Sequence, residues 1–416
     1  MKRLAARFIA CAWLCVTLSA RAEDVPTPGF LPSTAQASAW IEADPAVARA
    51  RLAAEAANHG GAAIAAGPHE WTARVQGQRR SYQDSGARSN EWTAALERAI
   101  RVNGKAGLDR QLRDLEVELG RARLGEARHE AARTLADAWT GVIVAKRQHA
   151  LLRDQLAIAM SNLDVVTKRQ RAGDASALDS NVAQGDIGSI ARDVSQAATE
   201  VVKAEATLRV RFAAVVPDGI VLPPPQTPVW PEAQWRERVL EEADPIKTAE
   251  TEWRRAGVTA ARARADRIAD PTVGVFAANE AMRNERVVGL SISIPFGGSY
   301  RSARALQAGK ETDALQAALD QTRREIELEA AQTYAEATGS LERWRIASET
   351  ARLSAESARL MQRAYGLGAA DLQALLLARR QATDAARAAV QAQGEAVRWE
   401  MRLLIDAHLI WDLAQD

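Results

Sequence analysis

The sequence contains two copies of a short alternating segment, and each copy is followed by a long stretch without proline. In the later copy, Glu285–Gly298, apolar residues at every second position alternate with glycine and serine. This period of two predicts a strand with one apolar face and one small polar face. The earlier copy, Glu91–Gly104, aligns without a gap at an offset of 194 residues (285 − 91). Alternating segments also precede each copy, at 70–80 and 271–279, so we predict four strands.

A heptad-like pattern follows each of the two copies. Between Gly104 and Gly173 the leucines recur at spacings of three and four residues, which is typical of a packed helix. One helix of about 65 residues would be about 100 Å long. A similar stretch begins near Tyr300, and a glycine break ends each one. Shorter helices should follow the breaks, the first starting at Ser176 and ending near Ala214.

These patterns predict a duplicated chain. The tetrapeptide EADP occurs at 42–45 and again at 242–245. Asp is a favoured helix N-cap and Pro suits the first helical position, so each copy should begin a helix. We predict five segments: a signal peptide at 1–22, an extended segment at 23–39, a first strand and long-helix repeat at 40–214, a proline-rich linker at 215–232, and a second repeat at 233–416.

The start of the chain has the composition of a secretory signal peptide. Three basic residues precede an apolar run, and Ala20-Arg21-Ala22 provides a small-residue cleavage site. Both cysteines, Cys11 and Cys15, lie within this segment, so the mature chain would form no disulfide and have no thiol ligand. Its formal charge would be −3 (50 − 53), which argues against a nucleic-acid partner.

The strand faces suggest contact with a membrane. A strand of about 9–11 residues with one apolar face suits a wall between lipid and water. The predicted lipid-facing residues are Trp71, Val75, Leu96, Ile100, Leu290, Ile292, Ile294 and Phe296. Arg98 lies on the same face, where an arginine costs about 2–4 kcal/mol at the midplane and much less at the interface. We expect Arg98 at the rim, or the predicted face is wrong there.

The two helix breaks form a second candidate site. Its predicted residues are Gly173, Asp174, Ser176, Asp179, Gly366, Gly368 and Asp371. The family resemblance given below implies that these carboxylates would charge an entrance at the tip of the helices. Asp371 could equally be a plain N-cap, and Asp174 and Asp179 could simply be helix-start residues favoured by the dipole.

No catalytic, cofactor or metal site is predicted. The five histidines are scattered along the sequence, and none has a partner at metal-ligand spacing: they are His59, His69, His129, His149 and His408. No nucleophile–base arrangement is evident, and we expect the protein not to be an enzyme.

Four strands cannot close a membrane barrel alone, because the smallest such barrels have about eight, and open strand edges are not tolerated in lipid. Either several chains contribute strands, or the strands do not enter a membrane. A trimer would provide twelve.

The ordered set of features resembles the TolC family of outer-membrane efflux proteins over residues 40–414. The resemblance rests on the repeat, on the junction VVGLSISIPFGGSYRSARA (287–305), and on the breaks RQRAGDASALD (169–179) and RAYGLGAADLQALLLARRQ (363–381). It implies a mainly α fold with a small membrane β portion. Three chains would form a twelve-stranded outer-membrane barrel continued by a helical tunnel into the periplasm.

The same resemblance implies a passive exit duct of a tripartite efflux system. The tip would dock on a periplasmic adaptor, which links it to an inner-membrane pump of the resistance–nodulation–division type. The chain looks somewhat like ducts for heavy-metal cations. Three alternatives stay open: a periplasmic adaptor, an exported helical scaffold, and the duct of a type I protein secretion system.

Overall fold

The computed structural model describes residues 27–281 and 284–411, so the predicted signal peptide at 1–22 lies outside the described residues. Twelve helices and strands occupy these ranges. In chain order they are α1 (Thr34–Ala43), α2 (Pro45–Ala66), β1 (Thr72–Ser81), β2 (Arg88–Ala99), α3 (Lys105–Ala172), α4 (Ala177–Phe212), α5 (Glu232–Glu242), α6 (Asp244–Ala265), β3 (Thr272–Glu280), β4 (Glu285–Ser293), α7 (Ser299–Gly366) and α8 (Leu372–Asp406).

The element order repeats with nearly constant spacing. Helices α3 and α7 each have 68 residues, and both their ends are offset by 194 (299 − 105 and 366 − 172). Helices α2 and α6 each have 22 residues. At 1.5 Å per residue, α3 and α7 are each about 100 Å long, which agrees with the length expected from the sequence.

The helices form a wall that is four helices wide. In the half near the strands, the contacts give the order α2-α3-α6-α7, and in the far half they give α4-α3-α8-α7. The two long helices run through both halves. Close approach of α3 and α8 depends on Gly394, because a Cβ there would lie 2.4 Å from a methyl carbon of Val144.

The main apolar core lies where the two halves of the wall meet, and we call this level the waist. The middle of α3 packs there against the ends of α4 and α8, the proline-rich segment and the first described residues. Two indole N–H groups pin those first residues: Trp139 Nε1 donates to Phe30 O (2.8 Å) and Trp411 Nε1 donates to Pro32 O (3.2 Å). Large buried side chains of the waist include Phe212, Trp235, Met401 and Ile410.

The strands form one antiparallel sheet in the order β1-β2-β3-β4. The β2–β3 pairing joins the two repeats, with Leu96 opposite Val275. The sheet continues the helical wall, because α2, α3, α6 and α7 connect to β1, β2, β3 and β4 in the same lateral order. Within the described residues, the outer edges of β1 and β4 have no partner strand.

Two predictions about element boundaries were wrong. Residues 34–39 of the predicted extended segment belong to α1, which begins with a capping box: Gln36 N donates to Ser33 Oγ (3.4 Å) and Ser33 N donates to Gln36 Oε1 (3.2 Å). The strand ends also differ from the prediction: β2 lies three residues earlier than the predicted 91–102, and β4 ends three residues before 296. Trp71, Ile100, Ile294 and Phe296 lie one to three residues outside them, because the β3–β4 ladder ends at the Thr272–Ser293 pair.

Among the described residues, no helix combines the length and the apolarity that crossing a bilayer requires.

A buried lysine fixes the junction between sheet and wall. Lys105 is 1% exposed at the start of α3, and its Nζ donates to Asp270 Oδ1 (2.8 Å) and to Ile268 O (2.7 Å). Asp270 also accepts from Val102 N (3.0 Å) and contacts His69 Nε2 (3.0 Å). Burial raises the pKa of Asp270, but these hydrogen bonds outweigh it and hold the pKa below the usual value.

We expect Asp270→Asn to destabilise the protein by about 3 kcal/mol at pH 7, because it leaves the buried Lys105 ammonium with the more exposed Asp266, whose Oδ1 lies 3.2 Å from Nζ, as its remaining carboxylate partner. A depressed folded-state pKa adds stability above the unfolded-state value of about 3.9, and this stability is lost as the pH falls through the folded-state pKa. Thermal unfolding of both proteins from pH 7 down to pH 2 checks this: the two curves should converge in acid. A constant gap would contradict the assigned role.

Candidate functional site

One face of the sheet is apolar and exposed. Three cross-strand rows form it: Val75-Ala94-Ala277-Val288, Ala73-Leu96-Val275-Leu290 and, nearer the helices, Val273-Ile292 beside Arg98. Val288 and Leu290 are 82% and 81% exposed. A contiguous exposed apolar surface of this kind marks an interaction site. The structure places Val75, Leu96, Leu290 and Ile292 on one face of the sheet.

The opposite face of the same sheet carries the charged and polar side chains, together with Ala95, Phe276 and Val287. Arg74 Nη2 donates to Glu97 Oε1 (2.9 Å), and Gln78 Nε2 donates to Glu91 Oε2 (2.8 Å). Ser291, which follows Leu290, lies on this side opposite Gly274. The sheet therefore has one apolar face and one face that carries the charged side chains.

Arg98 lies at the helical rim of the apolar face. Its Nε donates to His69 O (2.9 Å), in the segment before β1, and its guanidinium carbon lies 5.7 Å from the Trp71 ring centre. An arginine at this level can place its guanidinium outside the apolar band, where water and polar groups solvate the charge. Trp71 and Trp92 are both exposed on this face, at opposite ends of the band, where aromatic side chains suit an interface.

The two helix breaks have the same backbone geometry. Gly173 and Gly368 have φ of +86° and +75°, the left-handed region that favours glycine. After them, Asp174 N donates to Arg169 O (2.9 Å) and Ala369 N donates to Ala364 O (2.9 Å). These are the six-to-one hydrogen bonds of a Schellman motif. The predicted breaks are confirmed, and we call this end of the wall the tip.

Two of the predicted carboxylates act as caps. Asp179 Oδ2 accepts from Ser176 N (2.9 Å), completing a capping box at α4, and the hydrogen bonds from Ser176 lower the pKa of Asp179. Asp371 Oδ1 accepts from Ala374 N (2.7 Å) at the start of α8. These two groups are therefore structural caps, and Asp174 remains as an exposed charge in the turn.

A small apolar cluster holds the two breaks side by side, although Gly173 and Gly368 are 195 residues apart (368 − 173). It contains the ends of the long helices and the starts of the return helices: Val166, Ala183, Tyr365, Leu372 and Leu375. The Arg169 guanidinium lies over the Tyr365 ring at 4.7 Å, a cation–π contact between α3 and α7.

Polar contacts just inside the tip join α8 to its neighbours. Arg380 Nη2 lies 3.7 Å from Asp186 Oδ1 on α4, and Arg379 donates to Gln362 on α7. Burial raises the pKa of Asp186, and both arginines oppose that effect. The sequence analysis missed these two arginines. The sequence feature that could have identified them is an Arg-Arg pair about two helical turns after the second break.

The tip also presents large apolar side chains to solvent. Leu367 is 82% exposed and Leu178 is 65% exposed, each beside a break. A helix end would normally show polar residues there, so these leucines add an exposed apolar contact surface to the tip.

Comparisons with known proteins agree with this geometry. No protein-family model matches the sequence, and no curated protein matches it. The outer-membrane channel OprN superposes with a TM-score of 0.77 at 18% identity, over 92% of this chain and 91% of that one. CusC, studied for its folding and transmembrane channel formation, gives 0.76 at 14%, over 91% and 93%. The open state of the Neisseria gonorrhoeae MtrE outer-membrane channel gives 0.69 at 18%, over 92% and 90%.

The fold is that of outer-membrane channels. The resemblance to the TolC family is thereby confirmed at the level of the fold, as is the expectation of a mainly helical chain with four antiparallel strands. In this channel fold, the apolar band and the tip lie at opposite ends of helices about 100 Å long.

We expect Gly173→Ala to weaken the tip turn by about 1–2 kcal/mol, since an L side chain disfavours left-handed backbone. Gly185→Ala is the matched control, because Gly185 lies inside α4 with open space around it and alanine there should stabilise the helix by about 0.5–1 kcal/mol. Hydrogen exchange at the Asp174 amide should quicken about tenfold in the first variant only. Equal exchange in both variants would rule out a strained turn.

Proposed function

We propose that this protein is an outer-membrane exit duct of a tripartite efflux system, passively conducting substrates that an inner-membrane pump delivers through a periplasmic adaptor. The observation that carries the proposal is the two-faced sheet. Its exposed band of Val, Leu and Ile suits lipid, and its charged side suits a water-filled lumen. The neighbouring folds are those of outer-membrane channels. An adaptor or a helical scaffold would have no use for such a sheet.

We infer that three chains assemble. The free edges of β1 and β4 would leave backbone groups unpaired in lipid, and the helical wall is likewise open at α7 on one side and at α2 and α4 on the other. Pairing β4 of one chain with β1 of the next satisfies both. Three copies give twelve strands, a number within the range of closed membrane barrels.

The tip is then the docking surface for the adaptor. Leu178, Leu367 and the turn residue Asp174 lie at the end of the wall farthest from the sheet. The proposal includes an inner-membrane pump of the resistance–nodulation–division type and a cargo of heavy-metal cations. It also includes the division of the chain into two repeats, at 40–214 and 233–416. Type I protein secretion is the alternative route through the same duct.

Leu290→Arg should abolish assembly. An arginine at the level of the apolar band costs about 2–4 kcal/mol in each chain. The control is Ser291→Arg, one residue along on the polar face, which should assemble. Outer-membrane fractions of wild type and control should contain a heat-sensitive species of three chains that conducts in planar bilayers, with altered ion selectivity in the control. Equal assembly of both variants, or a soluble wild type, would refute the duct.

A photo-crosslinking residue placed at Leu367 should capture a periplasmic protein in living cells. One placed at Val202, which is also exposed but lies far from the tip on α4, is the control and should capture no protein other than a further copy of this chain. Mass spectrometry of the adduct identifies the partner. Crosslinks to a periplasmic protein from position 202 but not from position 367 would show that the adaptor does not dock at the tip.

A further inference from the structure

The fold brings together two histidines that lie 279 residues apart (408 − 129). His129 is on α3 and His408 follows α8, and their rings stack with centres 5.3 Å apart. One donor atom from each imidazole and one carboxylate oxygen of Asp244 lie within 4.8 Å of one another. His129 and Asp244 line a cavity of about 180 Å³ at the waist. Sequence spacing gave no hint of this cluster.

Both imidazoles keep a buried nitrogen without a protein partner. Within the described residues, His129 Nδ1 and His408 Nε2 have no hydrogen-bond partner, and the His408 side chain is only 7% exposed. A buried polar atom normally has a partner. One imidazole nitrogen from each of two histidines together with one carboxylate oxygen is a donor set that a zinc-type ion prefers.

The other nitrogen of each ring faces a carboxylate. His129 Nε2 lies 3.2 Å from Asp406 Oδ1, and His408 Nδ1 lies 4.0 Å from Glu242 Oε2. Asp406 is itself held by Arg133 Nε at 2.7 Å. Carboxylates behind metal-binding histidines fix the ring orientation and raise ligand basicity, so the surroundings match those of a metal centre.

The two repeats differ in the residues that surround the equivalent aspartates, Asp44 and Asp244. In the first repeat, Asp44 caps α2 and forms an ion pair with Arg211 Nε at 2.7 Å. Its counterpart Asp244 makes no capping hydrogen bond, and Asp406 stands in the place of Arg211 (211 + 195 = 406). In the second repeat the cation beside the buried carboxylate is Lys247, whose Nζ lies 3.7 Å from Asp244 Oδ1, and two imidazoles also lie beside it.

We propose that His129, Asp244 and His408 bind a divalent transition-metal ion of the zinc class, which links α3, α6 and the end of α8 at the waist. Zinc bonds of about 2.0–2.1 Å hold tetrahedral ligands about 3.4 Å apart, so the side chains close on the ion by about an ångström. A solvent molecule completes the four ligands.

The buried surroundings of the cluster disfavour charge on its own residues. Burial, aided by the neighbouring His129, lowers the pKa of His408 to about 4. Burial also raises the pKa of Asp244, and Lys247, whose Nζ lies 3.7 Å from Asp244 Oδ1, offsets that effect only in part. A bound cation would add to the compensation of the carboxylate charge.

The test is Zn²⁺ binding to the chelator-treated full mature protein, by calorimetry and metal analysis. We expect about one ion per chain and X-ray absorption with two imidazole nitrogens in the coordination shell. His408→Asn and Asp244→Asn should each weaken binding at least about tenfold, as should Asp406→Asn behind His129. Asparagine is chosen at 408 because His408 has φ of +54°, a conformation that asparagine tolerates.

His59→Gln, on the exposed surface of α2, is the control and should bind like wild type. Trimer assembly of every variant is checked separately, so loss of binding in an assembled variant supports the site and leaves the duct proposal untouched. No saturable Zn²⁺ binding by wild type, or equal binding by wild type and His408→Asn, would overturn the proposal.

Discussion

The antiparallel pairing of β2 with β3 is the contact on which the rest of the architecture depends. It sets Leu96 opposite Val275 and so places the two repeats side by side in one sheet. Because each strand continues into a helix, the lateral order of the strands becomes the lateral order of α2, α3, α6 and α7. The buried hydrogen bond from Lys105 to Asp270 then holds the start of α3 next to the segment that precedes β3. The helices therefore keep the lateral order of the strands.

A wall one layer thick has few places to bury apolar surface. The chain concentrates its core at the waist, where the wall halves meet, and makes a second small cluster at the tip. Other apolar residues stay exposed, and on α4 and α7 they include Val202, Val210, Leu328 and Leu353. Such an open wall has two free sides, and closure by further copies removes them together with the strand edges.

Duplication gives this fold two versions of each local environment, which are free to diverge. At the waist, one version pairs Asp44 with Arg211, and the other sets Asp244 among histidines. At the tip both versions keep the left-handed glycine and the cap, because the turn geometry requires them. Conserved backbone geometry with altered side chains is how a second site can arise without changing the fold.

The sequence by itself determined whatever depends on neighbours a few residues away. Alternation identified the strand faces, proline-free heptads identified α3 and α7, and Gly173, Ser176 and Asp371 marked the breaks and caps. The capping box at Ser33 was also legible but was overlooked.

Only the tertiary structure decided the rest. The strands end where their partners end, which left Ile294 and Phe296 outside β4. The neighbours of Asp186, and the meeting of His129 with His408, depend on contacts between residues far apart in sequence. Local periodicity carries no information about such contacts, because they are fixed by the pairing and packing of whole elements.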